Sequence, residues 1–114
     1  MRQFNGKYIL GDWETGQAAA GTTGATATTL TADHNWIATV TSSANGVILK
    51  EMPPGSFMSV VNADGVDNLN VYPWSGAALN GATADLPVMI PANSAAWFFV
   101  FSSTKIGVTA SSLV

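Results

Sequence analysis

The feature that most constrains this chain is the regular return of turn-forming residues. Combinations of Gly, Pro, Asn, Asp and Ser interrupt the sequence at residues 44–46, 53–55, 63–65, 75–76, 80–81 and 92–94. Asn-Gly and Asp-Gly adopt positive φ angles at low cost, and Pro-Pro-Gly ends one strand before the next begins. The runs between these turns are short, and none places large apolar residues at helical spacing.

We expect strands at residues 25–31, 35–42, 46–50, 57–63, 68–72, 87–90, 95–101 and 105–110. Short strands at a spacing of about ten residues are typical of a two-sheet sandwich or a jelly roll. A chain of 114 residues is long enough for one such domain and too short for two. We therefore predict an all-β fold, an antiparallel β-sandwich or a jelly-roll-like domain of about eight short strands.

The predicted strand AAWFFVF is apolar on both sides. Its alternation puts Trp97, Phe99 and Phe101 on one face and Phe98 and Val100 on the other, and a strand of this kind must be covered on both sides. We expect the first set inside the domain and the second against a neighbouring subunit, although the opposite assignment stays open. The alternative is that the chain's own N-terminal arm covers the second face of this strand. The subunit-interface hypothesis names Trp97, Phe98 and Val100.

Residues 1–24 differ in composition from the rest. Large side chains and two of the four basic residues occur near the N-terminus, and an Ala/Gly/Thr-rich stretch follows them. Such a stretch is typical of a linker or an edge strand. We therefore divide the chain into an N-terminal arm and linker, 1–24, and a β-domain, 25–114. The alternative is that the first segment adds a strand to the same sandwich.

The composition excludes several classes of function. Charged residues make up 10 % of the chain, with a net charge of −3, against roughly 25 % in an ordinary soluble domain. Nucleic-acid binding needs clustered Lys and Arg, which are not present.

There is no Cys, so disulfides and thiolate chemistry are excluded. No apolar run approaches the roughly 20 residues of a membrane helix. The first residues also lack the pattern of a signal peptide. So little charge predicts that much of the surface is covered by another protein.

Few residues point to catalysis or to metal binding. His34 is the one histidine, and no Gly-x-Ser-x-Gly motif accompanies it, so we interpret it as a turn residue. Asn62, Asp64 and Asp67 faintly resemble a calcium loop but lack its spacing and its final Glu. A hairpin turn at Asp64-Gly65 explains the same residues. Trp74 is the one Trp in a loop-like setting, and as an exposed aromatic it is a candidate for stacking on a sugar. We predict no enzyme and no cofactor.

A set of short motifs covers residues 60–110, and the segment 25–56 adds "LTADHN" and a "GVILKEMPPG" turn. The motifs read Val-Asn, then Asn-Val-Tyr-Pro with a following Gly, then Leu-Asn-Gly, and finally an apolar strand containing Ser-Ala and Phe. They stand at 61–62, 70–73, 76, 79–81, 90, 94–95 and 98. This pattern resembles a recurrent module of tailed-bacteriophage virion proteins. The chain departs from the module at 105–108, where Lys-Ile-Gly-Val replaces the usual Trp-containing strand.

The resemblance implies a capsid decoration, or cement, protein that stabilises the phage head. Such a protein is made in the host cytoplasm and lies on the outer surface of the virion. It is typically a homotrimer that bridges neighbouring major capsid proteins. The alternative is a head- or tail-fibre module that binds host-surface glycans. Under the first reading, the hypothesis for the capsid contact names five residues of the arm: Arg2, Phe4, Lys7, Tyr8 and Trp13.

Overall fold

The short runs between turns do form strands. The computed structural model describes residues 2–4, 7–9 and 11–112, with side chains over 11–109, and this part of the chain contains no helix. The strands are β1 (Arg2–Phe4), β2 (Lys7–Ile9), β3 (Trp13–Ala18), β4 (Thr28–Thr29), β5 (His34–Thr39), β6 (Gly46–Ile48), β7 (Phe57–Asn62), β8 (Leu69–Tyr72), β9 (Ala78–Leu79), β10 (Val88–Ile90), β11 (Ser94–Ser102) and β12 (Lys105–Ser112). The all-β prediction is confirmed. Accordingly, no described helix is long and apolar enough to cross a bilayer.

From β3 to β8, successive strands alternate between two sheets. The larger sheet has the order β3-β5-β7-β11-β12-β9, and the smaller one has the order β10-β8-β6-β4. Odd-numbered strands from β3 to β7 thus pair with each other, as do even-numbered strands from β4 to β8. The chain crosses from one sheet to the other after each strand and returns one position further along. This winding is solenoid-like.

The alternation makes many strand pairs parallel. Five of the nine pairings among the described residues are parallel: β3–β5, β5–β7, β4–β6, β6–β8 and β9–β12. A strand that returns to the same sheet after a full turn of the chain keeps its direction, whereas a hairpin reverses it. The remaining pairs are antiparallel and include the long hairpin β11–β12. Both sheets are therefore mixed rather than antiparallel.

The core contains buried side chains from both sheets. Ile37, Val60 and Phe98 belong to the larger sheet, and Val47 and Val71 belong to the smaller one. All five are fully buried. Apolar residues at alternate strand positions meet in one cluster, as expected of a two-layer domain.

Asn62 ties the end of β7 to the neighbouring loops. Its side chain is fully buried, and Nδ2 lies 2.9 Å from the carbonyl oxygen of Asp67 and 3.1 Å from that of Ile90. Its Oδ1 accepts a hydrogen bond from the backbone N–H of Asp64. A buried amide stays stable only when its donors and acceptors are satisfied in this way. Asn62 therefore fixes the path of the chain as it leaves β7 for the smaller sheet.

Part of the N-terminal segment belongs to the larger sheet. Strand β3 pairs in parallel with β5 and forms one edge of the sheet. Further along, Thr28 and Thr29 of β4 pair with β6 of the smaller sheet. Residues 13–18 thus follow the alternative kept open above, in which this segment adds a strand. Strands β1 and β2 form a separate antiparallel pair.

Candidate interaction surface

The outer side of the larger sheet carries an unusual number of aromatic side chains. Five of them expose between 42 % and 74 % of their surface, and Phe57 is half-buried among them. A monomeric protein rarely leaves so many large apolar groups together in water. We call this surface the aromatic face and define it by Trp13, Trp36, Phe57, Trp97, Phe99 and Phe101.

Strand register explains why these residues share one side. Trp13 pairs with His34, His34 with Ser59, and Ser59 with Trp97, so one row crosses four strands. Two positions along the strands, Phe57 pairs with Phe99. Residues opposite each other in a ladder point to the same side of a sheet. The aromatic face is therefore continuous across β3, β5, β7 and β11.

The rings at the centre of the face contact each other. Phe57 stacks on Trp97 with ring centroids 5.0 Å apart, and it meets Phe99 at 4.9 Å in a tilted arrangement. Phe101 lies over Gly107 of β12, where an added Cβ would come within 2.9 Å of the ring. Glycine at this position lets the ring lie directly on the β12 backbone. These contacts hold the aromatic groups in place although no other part of the described chain covers them.

The two faces of β11 are the reverse of the expected assignment. Phe98 and Val100 are buried in the core, whereas Trp97, Phe99 and Phe101 lie on the outer side. Alternation shows which residues share a face, but not which face meets the second sheet. Of the three residues in the interface hypothesis, only Trp97 is therefore available to a partner. Phe98 and Val100 contribute to the stability of the domain instead.

Two polar side chains, His34 and Ser59, lie within the aromatic face. His34 Nδ1 and Ser59 Oγ lie 2.8 Å apart, in a groove of about 190 Å³ that Trp13, Glu14 and Trp36 also line. Ser and His together can form a nucleophile and its base. Asp33, which precedes His34 in the sequence, has its Oδ1 ion-paired with Lys50 Nζ at 3.1 Å. The Ser–His contact links the neighbouring strands β5 and β7.

Trp74 is not an exposed platform for sugars. It is 6 % exposed, and its Nε1–H donates a hydrogen bond of 2.8 Å to the carbonyl oxygen of Ser103. The Pro and Gly around it indicated a loop, and the loop does exist. Its indole, however, packs inward and joins the β8–β9 connection to the β11–β12 turn. This correction leaves Trp13 and Trp36 as exposed tryptophans outside the β11 strand.

The loop that resembled a calcium site is held by its own hydrogen bonds. Asp64 Oδ2 accepts hydrogen bonds from the backbone N–H groups of Asp67 at 2.8 Å and Val66 at 3.0 Å. These two bonds, with a longer one from Val40, lower the pKa of the Asp64 carboxyl. Since β7 and β8 lie in different sheets, the loop is a crossover and not the expected hairpin. Within the described residues, no cluster of three potential ligands that could hold a metal occurs.

The five residues of the capsid-contact hypothesis divide into two groups. Trp13 is 74 % exposed at the edge of the aromatic face. The side chains of Arg2, Phe4, Lys7 and Tyr8 lie outside the described residues.

The sequence did not identify Trp36 and Phe57 as surface residues. Alternation places them on the opposite sides of their strands from Ile37 and Met58, but it does not show which side is outside.

Comparison with known proteins found no match. No protein-family model fits the chain, and no curated protein or solved structure is significantly similar to it.

Proposed function

We propose that this protein is a non-catalytic structural protein of a tailed-phage virion, a capsid decoration protein that bridges major capsid proteins. The observation that carries this proposal is the aromatic face. A contiguous aromatic surface rimmed by polar residues is typical of a surface that another protein covers. Aromatic side chains also supply much of the binding energy where proteins meet. The face therefore supports a role in assembly.

The motif resemblance supports a location on the virion. It covers most of the chain between residues 25 and 110 and suggests the virion exterior as the location. In this proposal two sheets enclosing one core make a compact, sandwich-like unit, and self-association builds the oligomer. The N-terminal arm provides the capsid contact: Phe4, Tyr8 and Trp13 anchor it, and Arg2 and Lys7 pair with acidic capsid loops. Such rim charges guide docking rather than supply most of the affinity.

A capsid-binding experiment tests the proposal. Purified protein is mixed with phage heads that lack it, and the bound copies are counted by quantitative electrophoresis and cryo-electron microscopy. We expect hundreds of regularly placed copies with the full chain and loss of binding when residues 1–11 are deleted. This deletion leaves β3 in place, and circular dichroism checks that the truncated protein is folded. Heads that bind neither protein would contradict the proposal.

A second candidate is a fibre module that binds host-surface glycans. The observation that favours it is the groove in which Trp13 and Trp36 flank the polar groups of His34 and Ser59. Aromatic rings beside hydrogen-bonding groups suit a sugar ring, which has one apolar side and a polar rim. Binding of the full chain to a glycan array, lost in Trp36→Ala, together with no binding to heads, would favour this candidate over the first.

A further inference from the structure

A cleft between loops lies on the outer side of the smaller sheet, opposite the aromatic face. Its volume is about 420 Å³, which falls within the range of ligand-binding pockets. Ile48 of β6 forms its floor, because the adjacent Val47 is buried in the core and alternation turns Ile48 outward. We call it the loop cleft and define it by the residues that line it: Gly24, Ala25, Ile48, Pro73, Ser75 and Asp85.

The first wall of the loop cleft is the connection between β3 and β4. The Oγ1 of Thr26 accepts hydrogen bonds from the backbone N–H groups of Thr22 and Thr23, both at 3.2 Å. The hydroxyl of Tyr72 donates to the carbonyl oxygen of Thr22 at 3.4 Å. Gly24 lies so close to the Tyr72 ring that an added Cβ would be 3.2 Å from it. These contacts hold the wall against the smaller sheet.

The second wall is formed by the connections that follow β8 and β9. The hydrogen bond from Trp74 to Ser103 anchors the first of them. In the second, Asp85 has a positive φ of 68°, which a residue other than Gly keeps only when surrounding contacts hold it. The Asp85 N–H donates to the carbonyl oxygen of Ala77 at 2.9 Å. Its Oδ1 accepts the N–H of Gly76 at 2.7 Å. The carboxylate is therefore fixed in direction.

The loop cleft combines apolar surface with one negative charge. Asp85 is the only charged residue among those that line it, and no Lys or Arg within residues 11–109 forms an ion pair with Asp85. A carboxylate has about four sites for hydrogen-bond donors, and Gly76 fills one of them. Ile48 and Pro73 provide apolar surface beside it. A complementary ligand has an apolar stem that ends in a cation.

From this arrangement we propose that the loop cleft binds an arginine or lysine side chain of a partner protein. Both side chains have an apolar stem and a cationic end, which match Ile48 and Asp85 respectively. A guanidinium can also bind a carboxylate through two parallel hydrogen bonds. A protein that bridges two neighbours needs two contact surfaces, and the loop cleft and the aromatic face lie on opposite sides of the shared core. In naming a capsid protein as the partner, this inference rests on the proposed function.

Titration with blocked amino acids tests the chemistry of the cleft. The probes are N-acetyl-arginine amide and N-acetyl-lysine amide, and the matched control is N-acetyl-citrulline amide, which has nearly the shape of the first probe but no charge. We expect at least one cationic probe to shift the backbone amide NMR signals of Gly76 and Asp85, with a dissociation constant on the order of millimolar. The control should bind roughly tenfold more weakly. Equal binding of the control, or shifts only elsewhere in the chain, would overturn the inference.

Asp85→Asn removes the charge with little change in structure. Asn also tolerates positive φ, and its amide oxygen still accepts the N–H of Gly76. We expect this variant to bind the cationic probes roughly tenfold more weakly than the wild type. Glu51→Gln is the matched control, because it removes an exposed carboxylate outside the cleft, and it should bind like the wild type. An equal loss in both variants would indicate general attraction to a negative protein and would overturn the inference.

Head binding separates this inference from the proposed function. Asp85→Asn should lower the number of copies that heads retain, whereas Glu51→Gln should not. A wild type that binds the cationic probes but not heads contradicts the proposed function alone. A wild type that binds heads but not the probes contradicts this inference alone, and so does Asp85→Asn if it covers heads as fully as the wild type.

Discussion

At the scale of single residues, hydrogen bonds decide what several polar side chains do. Asn62 and Asp64 looked like metal ligands, yet their oxygen atoms accept backbone N–H groups and shape a crossover loop. Trp74 looked exposed, yet its indole N–H has a carbonyl partner in a buried site. Residue type and spacing indicated polar loops correctly. They did not show which backbone groups would lie within reach.

Asp64 should make the loop sensitive to acid. Backbone hydrogen bonds from Asp67 and Val66 lower the pKa of this carboxyl in the folded state. The stabilisation is therefore complete above the pKa of an unfolded Asp, roughly 3.9, and is lost as pH falls through the lower folded pKa. We expect Asp64→Asn to be less stable than the wild type near pH 7 and this difference to shrink in acid.

Chemical denaturation over a pH series measures this effect. The control is Glu51→Gln, which removes one exposed carboxylate with no hydrogen bond to another residue in the described part of the chain. The control should unfold like the wild type at neutral pH. A difference between Asp64→Asn and the wild type that stays constant down to the lowest pH would contradict the assigned role.

At the scale of elements, strand β11 shows that alternation determines which residues share a face, whereas packing against the second sheet determines which face is buried. Phe98 and Phe99 are adjacent and chemically identical, yet the first is fully buried and the second is 45 % exposed. Period-2 alternation placed them on opposite faces. Both faces are apolar, so the pattern offered no difference in polarity to mark the inner one. Which of the two faces is buried therefore depends on the position of the smaller sheet.

Replacing each of these two residues by Ala separates their roles. Phe98→Ala should lower the free energy of unfolding by about 3–5 kcal/mol, because it removes a fully packed ring from the core. Phe99→Ala should lower it much less, since roughly half of that ring already faces water. Urea denaturation at low protein concentration measures both without a contribution from self-association. Equal losses in the two variants would contradict the faces described here.

At the scale of the whole molecule, the winding of the chain links the two sheets. Since β3 to β8 alternate between the sheets, neither sheet can unfold without releasing strands of the other. The core is likewise shared between them. We therefore expect one cooperative transition, as is usual for single domains of this size.

Two single-tryptophan variants test this cooperativity. One keeps only Trp97, on the outside of the larger sheet, and the other keeps only Trp74, which is buried in the shared core; the remaining tryptophans become Phe. Within each variant, the midpoint from fluorescence should equal the midpoint from circular dichroism. A fluorescence transition that precedes the loss of β-structure in either variant would contradict a single cooperative transition.

The sequence by itself determined the fold class, most strand positions and which residues share a face. These properties depend on short-range chemistry: turn residues such as Asn80-Gly81, which both adopt positive φ, and the two-residue period of strands. Only the tertiary structure decided that successive strands from β3 to β8 enter different sheets, that five pairings among the described strands are parallel and that Phe98 rather than Phe99 lies inside. Backbone hydrogen bonds between strands do not depend on side-chain identity. The sequence of a short connection therefore does not show whether the next strand forms a hairpin with the last one or crosses to the other sheet. The aromatic face could not be predicted from the sequence either, because it forms only when β3, β5, β7 and β11 lie side by side.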